Sequence, residues 1–178
     1  IDEEVFAAGA ASGLRVVSQI AVGVDNIDRA AANRHRIPYT HTPDVLTGAT
    51  AEYAFFMMGA VARRLYPAEV QVRAREWTTW HPYLPWLGDE VTGRTLAVLG
   101  MGRIGQSMAS KAVGFDMDVL CHAAGRPDEA FVASMRRVMK VRHEEGLCRR
   151  RQTIDFVPLE DALRRADFVS LHVALTRP

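Results

Sequence analysis

The stretch Val98 to Gly105, VLGMGRIG, decides the fold. It carries the end of an apolar run into three glycines, Gly100, Gly102 and Gly105, spaced G-x-G-x-x-G, and an amphipathic pattern follows. Hydrophobic periodicity predicts a strand at 95–99, a helix at 103–113 and a second strand at 117–121. A glycine turn between a strand and a helix, inside one βαβ unit, is the context in which this spacing acquires meaning.

Each glycine has its own task in such a turn. Gly100 permits the tight bend, Gly102 lacks the Cβ that would keep a diphosphate off the backbone, and Gly105 lets the helix lie close to the strand. The N–H groups of Gly102, Arg103 and Ile104 then stand at the positive end of the helix dipole, where an anion is favoured. The spacing predicts a dinucleotide site; a tight turn with no ligand is the competing reading of the same residues. The second strand ends in VLCHAAGRP, with Ala123 where an acid would bind ribose hydroxyls and with Arg126 following. A cofactor 2′-phosphate meets no carboxylate at Ala123 and finds a cation in Arg126, which favours NADP over NAD.

Working outward, residues 128–145 place Phe131, Met135, Val138 and Met139 at helical spacing, and Gly146 reads as a C-cap. PLEDALRRA from Pro158 predicts a short helix, and 167–173 a strand. The rhythm is that of a doubly wound α/β sheet. Upstream, residues 14–21 read as a strand, Asp25 and Asn26 as caps of a helix through Arg34, and 37–40 as a second strand. A domain boundary falls near Pro43, giving domains 1–43 and 44–178. Residues 50–64, TAEYAFFMMGAVARR, are apolar nearly all round and predict a buried helix with core Phe and Met, stopped by Pro67. EWTTWHPYLPWLG, from Glu76, packs three tryptophans and two prolines into a segment that can be neither regular helix nor central strand.

Composition narrows the function classes. The chain has 178 residues, 48% hydrophobic and 24% charged, which excludes disordered and fibrous proteins. A net charge of +1 recruits neither nucleic acid nor an anionic membrane by bulk electrostatics. Cys121 and Cys148 form no C-x-x-C, so neither a disulfide framework nor a metal site is expected, and a reducing compartment fits. The longest apolar run, 54–62, is too short to span a bilayer, and no basic leader precedes an apolar stretch, so a cytoplasmic protein is expected. The sequence begins at Ile1 and ends at Pro178 directly after a predicted strand, so both ends read as cut.

AVGVDNID, TPDVLTGATAE, the Arg63-Arg64 pair, VTGRTLAVLGMGRIGQSMA, GFDMDVL and DFVSLHVALT occur in the order and spacing of one family. The chain resembles the D-isomer-specific 2-hydroxyacid dehydrogenases, most closely their glyoxylate and hydroxypyruvate reductase branch. That resemblance implies a Rossmann-type cofactor domain, incomplete here, plus part of a flavodoxin-like substrate domain. It implies a small 2-keto acid substrate, NADP or NAD as cofactor, and a homodimer. It assigns the backbone amides of Val22, Gly23 and Val24 to the substrate carboxylate, although Gly23 also reads as a residue that relieves a tight turn. It sets Thr50 and the segment His172, Val173 and Ala174 beside the cofactor; His172 taken alone reads as a satisfied strand-end histidine. The tryptophan segment, about 67–92, resembles a dimer arm, with Trp80 reaching the partner's substrate and Trp77 and Trp86 as anchors. A satellite core under an irregular loop is the other reading.

The stretch 126–153 is longer than in many members of the family. Its Arg149, Arg150 and Arg151 read as a solvated loop before they read as a polyanion contact. The family's substrate-binding Arg and its Glu/His proton donor are expected beyond Pro178, so no catalytic residue is assigned within the chain. His35, His41, His81, His122, His143 and His172 match no catalytic block. Two readings follow: a segment of a competent reductase, inactive alone, or a non-catalytic dinucleotide- or partner-binding module of the same fold. A short-chain reductase is disfavoured by the absence of Tyr-x-x-x-Lys.

Overall fold

A computed structural model describes residues 1–125 and 127–174. It divides into two compact units, Ile1–Leu46 and Thr47–Pro178.

In the first unit, helix α1 (Glu3–Ala11) leads to strand β1 (Val17–Ser18), helix α2 (Arg29–Arg34) and strand β2 (Tyr39–Thr40). The strands pair in parallel, Val17 opposite Tyr39. Phe6, Ile27, Ala31, Ala32 and Ile37 form the core. Asp2 caps α1, accepting from the Val5 amide, and Asp28 caps α2, accepting from the Ala31 amide at 2.9 Å. The strands are shorter than the sequence suggests, and α2 is capped by Asp28, not by Asp25 or Asn26. Val24 to Asp28 are taken up by a turn closed by the Ile27 amide on the Val24 carbonyl at 3.0 Å.

In the second unit, α3 (Thr47–Ala62) and α4 (Leu65–Arg73) precede an irregular stretch, after which β3 (Thr95–Leu99), α5 (Arg103–Gly114), β4 (Asp118–His122), α6 (Glu129–Glu144), β5 (Ile154–Phe156), α7 (Leu159–Arg165) and β6 (Phe168–Leu171) alternate. The four strands form one parallel sheet in the order β5-β4-β3-β6. The chain thus moves outward from β3 through β4 to β5, then returns to pair β6 on the other flank of β3. That reversal is the topological switch point of an open α/β sheet, and ligands collect at its carboxyl end. Leu96, Val98, Met108, Met117, Val119, Cys121, Met139 and Ile154 are buried in the main core. Among the described residues no helix is long and apolar enough to cross a membrane.

This unit departs from the sequence expectation at four points. Helix α3 buries one face only, Ala51, Phe55 and Ala62, with Ala54 and Met58 partly covered, because it packs chiefly on α5. Its remaining apolar face, Tyr53, Phe56, Met57 and Val61, is exposed on the single chain. Pro67 does not stop α3; it lies in the first turn of α4, where its missing N–H costs nothing. Strand β5 was not anticipated. In α6 the buried residues are Val132 and Met139, with Phe131 and Met135 partly covered, while Val138 is exposed. Gly146 at φ +69° ends the helix, with the Leu147 amide donating back to the Arg142 carbonyl at 2.8 Å.

Candidate functional site

The glycine turn leaves β3 at the switch point. Gly100 has φ +98°, and a Cβ there would collide with the His172 carbonyl oxygen and come within 2.9 Å of Val173 Cγ1. The closeness is built by pairing: the His172 amide donates to the Leu99 carbonyl at 2.7 Å, and the Gly100 amide to the His122 carbonyl at 2.8 Å. A Cβ on Gly105 would collide with the Gly100 carbonyl oxygen and stand 3.3 Å from Val98 Cγ1. Gly102 is different. Nothing lies within 4 Å of its Cβ position, and as the N-cap of α5 it offers no side chain to the first-turn amides. An uncapped N-terminus of a 12-residue helix with open space before it fits a diphosphate.

Around the turn, His172 is half-buried and shares a 2.8 Å hydrogen bond with Ser170 Oγ. Burial holds its pKa below the ordinary histidine value. Val173 and Ala174 are exposed at the end of β6, and Thr50 is exposed in the first turn of α3. Ala123 follows β4 and packs partly against the main core. The next acid along the chain, Asp128, caps α6 by accepting from the Phe131 amide at 2.9 Å and also accepts from Gln106 Nε2 at 3.0 Å. Arg126 lies outside the described residues.

The loop from Val22 to Val24 belongs to the first unit. The carbonyls of four consecutive residues accept hydrogen bonds: Ala21 from the Thr42 amide at 2.9 Å, Val22 from His41 Nδ1 at 3.0 Å, Gly23 from Gln19 Nε2, and Val24 from the Ile27 amide. Among the described residues the amides of Val22, Gly23 and Val24 meet no acceptor. The Asp25 carboxylate stands beside Gly23, its Oδ2 3.2 Å from the Cβ position.

The tryptophan segment is irregular from Glu76 to Gly88. Leu84 is buried and Trp86 half-buried, but Trp77 and Trp80 are 51% and 68% exposed, so no satellite core encloses them in one chain and Trp77 is not an anchor there. The return of the segment is fixed at Gly88, where a Cβ would run into the Ala62–Arg63 backbone, and by the Asp89 amide on the Ala62 carbonyl at 2.8 Å.

Arg150 is not part of a solvated loop. It donates to Asp118 Oδ2 at 2.8 Å and to the Gly93 carbonyl at 2.9 Å, while Asp118 Oδ1 takes the Thr153 amide and hydroxyl. Sequence reading also missed a Glu/His pair, Glu3 with His35 Nε2 at 2.6 Å, joined by Arg34. The residues are 32 apart in sequence, which hides the pairing. It lies at the C-terminal end of α2, whereas the Val22–Val24 loop precedes the N-terminal end, so it is a surface ion pair and no part of that loop. Hydrogen bonds from His35 and Arg34 hold the Glu3 carboxyl below its usual range.

Residues 55–178 match the profile of the D-isomer specific 2-hydroxyacid dehydrogenase NAD binding domain. The chain is 44% identical over 177 residues to a glyoxylate reductase of Korarchaeum cryptofilum, covering 99% of this chain and 47% of that protein. Among solved structures, the TT0316 protein of Thermus thermophilus superposes with a TM-score of 0.79 at 39% identity, covering 99% of this chain and 48% of the other. A D-lactate dehydrogenase of Aquifex aeolicus, complexed with NAD and lactic acid, superposes at 0.71 with 26% identity over 92% of this chain and 42% of the other. The chain spans about half the length of the curated relatives it matches. The parallel sheet, its glycine turn and this similarity define a nucleotide-binding α/β protein. The chain belongs to the D-isomer specific 2-hydroxyacid dehydrogenase family, and residues 55–178 carry that family's NAD-binding domain.

Proposed function

We propose that the chain is a segment of an NAD(P)-dependent reductase of small 2-keto acids of the glyoxylate or hydroxypyruvate type. The observation that carries this reading is the open, uncapped helix start at Gly102, set at the switch point where Gly100 lets β6 pass. Gly102, Arg103 and Ile104 would hold the cofactor diphosphate, Gly100 and Gly105 would shape the turn, and His172, Val173 and Ala174 would line it, with Thr50 near the nicotinamide. The bound cofactor supplies hydride to the keto carbon. The amides of Val22, Gly23 and Val24 would take the substrate carboxylate, which makes residues 1–43 substrate-domain chain and 44–178 cofactor-domain chain. The carboxylate-binding Arg and the Glu/His proton donor belong, on this reading, to sequence outside residues 1–178.

NADP is the favoured cofactor, because Ala123 offers no carboxylate and Asp128 is committed to capping α6. A homodimer is supported by the exposed α3 face and by Trp80 on its rooted arm, which would reach a partner's substrate site. The free thiols of Cys121 and Cys148 support a reducing, cytoplasmic setting. The test is a spectrophotometric assay of the full-length gene product with NADPH and either glyoxylate or hydroxypyruvate. Turnover there, together with cofactor binding but no turnover by residues 1–178, is the expected result; a full-length protein inert toward both acids overturns the reading.

A further inference from the structure

We infer that Gln19 and His41 are positioning residues that aim the amides of Val24 and Gly23 at the substrate carboxylate; the inference rests on the loop assignment proposed above. A trans peptide is planar, with its C=O and N–H pointing in opposite directions. Whatever holds the carbonyl of one residue therefore fixes the direction of the next residue's N–H. The Thr42 amide on the Ala21 carbonyl sets the Val22 N–H, His41 Nδ1 on the Val22 carbonyl sets the Gly23 N–H, and Gln19 Nε2 on the Gly23 carbonyl sets the Val24 N–H. Two of these three tethers are side chains. All the carbonyls turn to protein, and among the described residues the three amides turn to none.

Gly23 is exposed and Val22 and Val24 are half-buried, so the three amides are open to solvent, and a ligand that removes their water must itself supply an acceptor. A carboxylate is the matching acceptor, and successive aimed amides make an anion-binding concavity. The Asp25 carboxylate beside Gly23 means that local charge does not attract an anion here. Amide direction must do so, which is why the tethers matter. Gln19 and His41 are themselves tied to the sheet end: the Gln19 amide donates to the Thr40 carbonyl at 3.2 Å, one residue before His41. His41 donates from Nδ1, which an asparagine amide can replace in position and a leucine cannot.

The experiment uses the full-length gene product. His41→Leu and Gln19→Met should each raise KM for the 2-keto acid about tenfold, the worth of one orienting hydrogen bond. kcat and KM for NADPH should change less than about twofold, and His41→Asn should restore the substrate KM. Oxalate, used as a carboxylate probe, should shift the Gly23 and Val24 amide signals in 15N spectra of the parent and not in His41→Leu. An unchanged substrate KM in His41→Leu, or equal rises for keto acid and NADPH, overturns the positioning role while leaving the reductase reading intact. Oxalate shifts that depend on His41 in a protein without turnover would support the positioning role and sink the reductase reading. A parent protein that neither turns over nor shows oxalate shifts overturns both.

Discussion

Gly105 lies directly beneath Gly100, so close that a single carbon added to Gly105 would strike the Gly100 carbonyl oxygen, while Gly102 between them faces open space. The glycines that shape the turn are thereby separable from Gly102, the one proposed to meet the diphosphate. Gly105→Ala should cost about 2–3 kcal/mol as backbone overpacking, lowering the melting temperature by roughly 5–10 °C for a chain of this size. Gly102→Ala should lower melting by no more than about 2–4 °C, the cost of alanine at an N-cap, yet weaken NADPH binding more than about tenfold by fluorescence titration. Unaltered affinity in Gly102→Ala would remove the diphosphate from this turn.

On the proposed reading, cofactor choice depends on what stands at the end of β4. With Ala123 there, NADPH should bind more tightly than NADH. Ala123→Asp should reverse the order, weakening NADPH by roughly tenfold, the size of a like-charge contact in water-exposed surroundings. Tighter NADH binding by the parent protein would end the assignment.

The sequence made β3 and β4 legible because both are continuous apolar runs flanked by turn residues, the pattern of strands buried on two faces. Strand β5 has only Ile154, Asp155 and Phe156, follows three arginines and shows no alternation; it exists because Asp118 holds Thr153 and the Val119 amide pairs with the Thr153 carbonyl at 2.8 Å. Helix α3 was readable as a helix but not for its buried face, since apolar residues all round give no preferred side; packing on α5 made the choice. In the glycine turn the roles of Gly100 and Gly105 could be anticipated from spacing. The tethers at Val22 and Gly23 could not, because His41 is 19 residues from its acceptor and shares no motif with it.

Asp118 makes a further prediction about that long connection. Its carboxylate binds Arg150 through one oxygen and Thr153 through the other, so Asp118→Ala would leave the half-buried Arg150 guanidinium without its counter-charge, held by the Gly93 carbonyl, and the Thr153 amide without its acceptor. The expected loss is about 2 kcal/mol, the penalty for stranded donors, read as an earlier urea midpoint, with Asp118→Asn falling between. A midpoint equal to the parent's would show that Arg150 and the β5 connection are held by other contacts.

His172 should make the protein acid-sensitive before its carboxylates do. Burial depresses its folded pKa, so the unfolded chain binds the proton first as pH falls through about 6.5, the ordinary histidine value. Its contribution is therefore present above that pH and is lost on acidification toward the folded value. Thermal unfolding of His172→Asn should show a shallower loss between pH 7 and pH 5, on the order of the unperturbed histidine range. Parallel curves for parent and variant would mean that His172 does not titrate across unfolding.

Cys121 lies in the middle of the sheet, where burial and then the nearby Asp155 charge push its thiol up to about 12. Only about one thiol in ten thousand is ionised at pH 8 from that value, against roughly a quarter for an ordinary cysteine. Iodoacetamide should therefore label Cys121 at least about a hundredfold more slowly in the native protein than in guanidinium, a ratio that follows from thiolate fraction alone. The same shift carries a stability consequence of opposite sense to that of His172. Because the folded value is raised, the thiol's contribution is full below about pH 8.5, the unfolded value, and disappears as pH climbs toward the folded one. Cys121→Val keeps the apolar volume and removes the titration, so its alkaline unfolding curve should be flatter than the parent's. Rapid native labelling, mapped to Cys121 by peptide mass, would mean that the sheet opens far more readily than its packing implies.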